Sequence, residues 1–536
     1  MLKYYLSIAI LFLTIAVGCK QTGTQQLTYR NPIINADVPD MSVVRVGDYY
    51  YMVSTTMHLM PGGPIMRSSD MMHWETISYL FDRIDDGDRY NLIGGSVYGQ
   101  GQWASSIRYH NNRFYVWFTA NGAPHKGFIF SSEKAEGPWE VVARPPHFHD
   151  GSLFFDDDNR VYIVCDQGHL VELRADLQDK KDGGVDTILF QRDEEEIGAL
   201  LEGSQMFKVN GKYYILMISM KWGVPGRVRR EVCYRADNIT GPYEKKVILE
   251  TPFEEYGGVG QGCIVDGKNG EWYGLMFQDR GGVGRVPCLM PCRWIDGWPI
   301  LGDENGKVPS DLSQPHINQT GVYGSDDFSG EKLSLLWQWN HNPVDSAWSL
   351  SERAGYIRMH TARVVDNIFV APNTLTQRMP GPKCVGTIKI DVSGMADGDR
   401  CGFSAYNGDS GVLSIEDENG QKRLVLTEQK MVLATTDLAA SHRAIERADV
   451  EEIEAVQLST NELWLRISGD FTYGNDWATF AYSTDGQEWH NIGHPIKMVF
   501  DYRRMFMGSK FAIFNYATKV LGGYVDVDKF ELSQSE

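Results

Sequence analysis

Five times the chain repeats one phrase: a marked residue, a spacer, a small residue, an apolar strand, a tight turn and an aromatic strand. Asp40-Met41-Ser42-Val43-Val44-Arg45-Val46-Gly47-Asp48-Tyr49-Tyr50-Tyr51 states it first. Trp103-Ala104-Ser105 leads to Asn111-Asn112 and Phe114-Tyr115, and Asp150-Gly151-Ser152 leads to Asp157-Asp158-Asn159 and Val161-Tyr162. Glu202-Gly203-Ser204 leads to Asn210-Gly211 and Tyr213-Tyr214, and Gln261-Gly262-Cys263 leads to Asn269-Gly270 and Trp272-Tyr273. Hairpin-rich units at a spacing of roughly 45–65 residues predict a radial β-propeller of five blades, which needs no long parallel crossovers. Asn and Gly in the turns permit the positive φ of tight hairpins.

Asp40, Trp103, Asp150, Glu202 and Gln261 share one position, just ahead of the first strand of each unit, where side chains can point at a central axis. Three of the five are carboxylates. In a ring of five, the first blade lies opposite the third and fourth, which are neighbours. Asp40 is therefore expected to face Asp150 and Glu202 across a funnel. An inverting glycosidase needs such a gap, about 6.5–9.5 Å, to admit a water opposite the leaving group. A further carboxylate beside an acid tunes its proton affinity.

At 536 residues the chain exceeds one ordinary core, so two domains are expected. A formal charge of −19 argues against nucleic acid, whose phosphates call for clustered Lys and Arg. A neutral oligosaccharide or polysaccharide fits better. Residues 1–19 read as an export signal: Lys3, an apolar run from Ile8 to Val17 too short to span a bilayer comfortably, then Ala16-Val17-Gly18-Cys19, which resembles a bacterial lipobox. The expectation is an exported, periplasmic protein held to its membrane only by lipid on Cys19. Residues 20–28 form a polar tether, 29–305 the propeller, 306–322 a Gly/Pro/Asn/Ser-rich linker and 323–536 a jelly-roll-like β-sandwich. Strands in that last part include Gly355–His360, Lys422–Leu426 and Glu462–Ile467. Beyond Cys19 the seven cysteines show neither disulfide nor zinc spacing and are expected as buried free thiols.

Several of these segments resemble glycoside hydrolase family 43, five-bladed propeller enzymes that cut arabinosyl and xylosyl linkages with inversion. Asn31-Pro32-Ile33 with Asp40-Met41-Ser42 matches the family's general-base segment, with Met41 in place of the usual Pro. Asp150-Gly151-Ser152-Leu153-Phe154 matches the segment of the orienting, pKa-modulating aspartate, and Glu202-Gly203 that of the general acid. Arg285, in Val283-Gly284-Arg285-Val286-Pro287, matches an active-site arginine, which could orient Asp150 or a sugar hydroxyl. Gln261 stands where many members carry a His beside a bound cation or water, so a structural calcium has no support in the sequence and no cofactor is required. Asp326-Asp327-Phe328-Ser329-Gly330 and Leu336-Trp337-Gln338-Trp339 resemble the opening of a C-terminal domain that packs on the propeller and can lend a loop to the pocket.

Trp103, Trp74, Trp222 and Phe277 are candidates for contact with sugar, while His147 and His149 read as structural or substrate-adjacent. The resemblance implies an exo-acting inverting hydrolase that removes terminal α-L-arabinofuranosyl residues from hemicellulose side chains. A β-D-xylosidase or a dual enzyme is the near alternative, and a non-catalytic glycan-binding lipoprotein the more distant one.

Overall fold

The computed structural model describes residues 30–535 except 123, 195, 197–200, 222–228, 312–320, 438–439 and 441–442. Cys19, the tether, Trp222 and most of the linker therefore lie outside the described residues.

Five four-stranded sheets follow one another along the chain. Blade 1 is built from Ser42–Val46, Tyr49–Val53, Gly62–Ser68 and Glu75–Phe81. Blade 2 begins at Gly101–His110, blade 3 at Ser152–Phe155, blade 4 at Glu202–Val209 and blade 5 at Gly260–Asp266. These first strands touch in sequence order, and the fifth touches the first, so they line a closed ring.

The small residue of the repeat has a physical purpose in that ring. The Ser42 hydroxyl accepts the backbone N–H of Ile107, and the Ser152 hydroxyl that of Met206, each in the next blade. Ser106 does the same for Leu153. Each bond satisfies a buried donor on a neighbouring strand, and a longer side chain would hold the strands apart. The two ends of the ring are clasped by the segment that enters the propeller. Asn31 exchanges side-chain bonds with both the N–H and the carbonyl of Leu289, while the Ile33 and Val38 amides bond to the carbonyls of Pro287 and Arg285.

The axis is blocked partway. Arg108 donates to the hydroxyls of Ser42 and Ser152 and to the amide oxygen of Gln205, and Ser42 also bonds that oxygen. One hollow, lined by Asp40, Ser105, Asp150 and Gln261, opens on one side of this plug. A second, lined by Arg45, Ile107, Lys208 and Asp266, opens on the other. The first is therefore a blind pocket.

The C-terminal part is a sandwich of two large antiparallel sheets. The expected strands are present, the first shortened to Ile357–His360 and the others widened to Gln421–Leu433 and Glu462–Asp470. The second gains length because, past the buried run Leu424 to Thr427, buried Gln429, Met431 and Leu433 alternate with more exposed residues to the strand's end. The sandwich is not an appendage. Leu59–Met60, from blade 1, pairs with Gln338–Asn340 and so becomes an edge strand of one of its sheets. Val283 and Val286 of blade 5 belong to the same apolar cluster as Trp337, Ile388, Phe403 and Phe511 of the sandwich. Among the described residues all seven cysteines are free and buried.

Candidate active site

The backbone itself turns the repeat residues toward the axis. Asp40, Asp150 and Gln261 hold the left-handed φ values of 54°, 46° and 65°. In blade 4 that conformation falls one place later, on Gly203 at 68°. Asp tolerates this region and Gly does so freely, whereas Gln261 carries a cost of about 1 kcal/mol or more. Blades 2, 4 and 5 add bulges near the start of their first strands, between Gln102 and Ser105, Glu202 and Gln205, and Gly260 and Gly262. A bulge bends the strand and re-aims its side chains. Gly203 is required twice over, since a Cβ there would sit 2.7 Å from Cγ of Gln261.

Asp40 is 6% exposed and faces Arg285, whose Nη1 lies 3.1 Å from Oδ1 and 3.2 Å from Oδ2. Burial raises the Asp40 pKa above the usual carboxylate range, and Arg285 opposes that rise without cancelling it. The expected partners of Arg285 were Asp150 or a sugar; its direct partner is Asp40. Arg285 is itself fixed from behind. Its backbone N–H donates to Oδ1 of the buried Asp37, whose Oδ2 accepts the N–H of Gly508 from the sandwich. Gly508 must be glycine, because a Cβ there would run into the Val283 carbonyl oxygen.

Asp150 is equally buried, and its Oδ2 accepts the backbone N–H of Gly203, the residue after Glu202. Burial pushes the Asp150 pKa up, with His149 opposing. His149 stands between the two acids of this side: its Nε2 is 3.6 Å from Oε2 of Glu202 and 3.9 Å from Oδ1 of Asp150. Asp150 raises the His149 pKa to about 9. The sequence reads His149 as structural or substrate-adjacent, and the structure sets it against both acids of this side. Its adjacency to Asp150 was visible, but its reach to Glu202 depends on how blade 3 meets blade 4.

The surroundings of Arg285 and His149 are shared between the domains. The ring of Trp103 packs edge-on to Phe506 at 5.6 Å and lies 5.7 Å from His149. Phe506 belongs to the sandwich. Its carbonyl accepts from Nη2 of Arg285, and its ring lies 4.7 Å beneath that guanidinium. Gln261 is held by its own N–H, which donates to Oε2 of Glu231. Glu231 is wholly buried, and that burial pushes its pKa up to about 8.

Two candidates for sugar contact are corrected. Trp74 is 1% exposed in a core cluster with Ile33 and Met52, its indole bonded to the Met71 carbonyl, and does not reach the hollow. Phe277 is likewise buried, its ring 5.5 Å from the Arg285 guanidinium, so it supports the arginine rather than a substrate. Trp103, Gln261 and Arg285 are gathered with the three carboxylates.

Residues 29–299 match the family model described as glycosyl hydrolases family 43, and residues 325–533 match the β-xylosidase C-terminal concanavalin A-like domain. The chain is similar to a β-xylosidase of Formosa agariphila, 29% identical over 94% of this chain and 90% of the relative. It is also similar to a non-reducing end α-L-arabinofuranosidase of Bacteroides ovatus, 27% identical over 87% of this chain and 94% of the relative. A solved structure described as a bifunctional GH43-CE protein of Bacteroides eggerthii superposes with a TM-score of 0.85 at 39% identity. That match covers 94% of this chain and 64% of the Bacteroides eggerthii chain, so this protein spans slightly under two thirds of it.

Proposed function

The chain belongs to glycosyl hydrolase family 43, and from that premise we propose that it is an exo-acting, inverting pentosidase. The observation that carries the reading is the blind axial hollow lined by Asp40 and Asp150, with Arg285 on Asp40 and Glu202 brought beside Asp150 through His149. A closed floor stops a polymer from threading through and suits attack at a chain end. Glu202, partly solvent-reachable, donates its proton to the leaving oxygen. Asp40 takes a proton from the water that attacks the opposite face of the sugar. Asp150, bonded to the Gly203 N–H, orients the backbone that carries Glu202. Trp103 and Phe506, packed on each other beside His149 and Arg285, offer an aromatic surface to the sugar ring.

The first reading of the substrate is a terminal α-L-arabinofuranosyl residue on a hemicellulose side chain. A β-D-xylosidase, or an enzyme with both activities, is the second reading, and similarity to the Formosa agariphila β-xylosidase supports it as strongly. A panel of aryl α-L-arabinofuranosides and β-D-xylosides, with arabinosylated xylo-oligosaccharides beside them, separates the two by kcat/KM. Binding of these sugars with no release of pentose would sustain the non-catalytic reading instead. The proposal extends to export and lipidation at Cys19, which metabolic labelling with a fatty acid would detect and Cys19→Ala would remove.

A further inference from the structure

We propose that His149, Asp150 and Glu202 form a binding site for a divalent transition metal of the zinc type, and that the bound ion switches the enzyme off. Each residue offers one ligand atom, and those atoms all lie within 4.8 Å of one another. A tetrahedral zinc ion with bonds of about 2.0–2.2 Å to nitrogen and oxygen sets its ligands roughly 3.3–3.5 Å apart. The spacings from Nε2 of His149, 3.6 Å to Glu202 and 3.9 Å to Asp150, need to close by only a few tenths of an ångström.

The surroundings already orient the ligands. Oδ2 of Asp150 is occupied by the Gly203 N–H, which leaves Oδ1 turned to His149. The imidazole is flanked by Trp103. Outer partners of this kind commonly fix the geometry of metal ligands. Charge also favours the ion, since two carboxylates in a largely buried pocket balance a double positive charge. One imidazole with two carboxylates is a donor set that suits zinc, and a fourth position stays open to water.

A second group of potential ligands, Cys165, Asp166 and His169, is the competitor. Its thiol already donates to Asp166, and His169 is paired with Asp186, so binding there would break existing contacts. The consequence at the first site is direct. A carboxylate coordinated to metal does not carry a proton, so Glu202 could not supply one to a leaving group. Inhibition, though not binding, rests on Glu202 acting as the acid proposed above.

The test titrates zinc chloride into the full chain against a chromogenic chelator, with aryl pentoside hydrolysis followed in parallel. One zinc per chain is expected, with activity lost in step and restored by EDTA. His149→Asn and Glu202→Gln should each weaken binding at least about tenfold, while Cys165→Ser leaves it unchanged. Should His149→Asn fail to fold, Glu202→Gln carries the comparison, because its side chain keeps its volume. Equal zinc affinity in wild type and Glu202→Gln, or loss of binding in Cys165→Ser, overturns the site. Zinc that binds through these residues yet leaves hydrolysis untouched overturns the inhibition, and undiminished turnover of zinc-free Glu202→Gln separately overturns Glu202 as the acid.

Discussion

Arg285 reaches both oxygens of Asp40 through one nitrogen, at 3.1 and 3.2 Å, and neither side chain is more than 6% exposed. Burial and the guanidinium pull the Asp40 pKa in opposite directions, and burial wins. In Arg285→Gln the opposing charge is gone, so the pKa of the base rises further. The acid limb of the pH profile of kcat/KM should then move to higher pH, and turnover should fall by roughly 100-fold as Asp40 loses its fixed orientation. A limb that stays in place would show that Asp40 is not the group that titrates.

Phe506 places the sandwich inside the active site. Its ring meets Trp103, and its carbonyl meets Arg285 across 221 residues of sequence. Phe506→Ala should leave the fold intact, raise KM and lower kcat/KM about tenfold, since one wall of the pocket and an aromatic contact of about 0.5–1.5 kcal/mol are lost together. Steady-state kinetics on an aryl pentoside, beside a melting curve, measures both.

Asp37 ties the two domains to the base. Its two oxygens accept the N–H groups of Arg285 and Gly508. Asn can accept only one of these bonds and turns an amide against the other donor. Asp37→Asn should lower the melting temperature through a buried unsatisfied N–H, a loss of about 1–3 kcal/mol. It should also reduce kcat more than it changes KM, because Arg285 and the Phe506 loop shift while no direct sugar contact is removed.

Glu231 gives a dependence of stability on pH. Its folded pKa of about 8 stands above the ordinary 4.5, so between those values the folded protein holds a proton that the unfolded chain has released. Stability from this group is complete below pH 4.5 and is lost as pH rises through 8. Glu231→Gln keeps an oxygen for the Gln261 N–H and cannot ionise. It should melt higher than wild type at pH 8.5 and show little difference at pH 4.5, as scanning calorimetry at the two values would record.

The propeller was legible because a ring of like blades forces like local chemistry five times over. Ser42 and Ser152 recur because each must fit between first strands and accept an N–H. Asp40, Asp150 and Gln261 align because all three take the same left-handed turn into the axis. Blade 4 moves that turn to Gly203, and Glu202 still falls in line because Ser204 stands two places after it, as Ser42 and Ser152 do after Asp40 and Asp150. What escaped depends on contacts far apart in sequence. Gly508 meets Asp37 across 471 residues, and the neighbours of His149 and Glu231 lie in other strands or blades. No local pattern carries such information. Trp74 misled for a different reason: an indole that stacks on sugar and one that fills a core are written with the same residue, and only burial tells them apart.

The account turns on Asp40 and Glu202 working from opposite faces of one sugar. Proton NMR of the first pentose released, recorded before mutarotation, reads that directly. The expected product has the anomeric configuration opposite to that of the substrate. A first-formed sugar of retained configuration would contradict the arrangement and require a covalent glycosyl intermediate in its place.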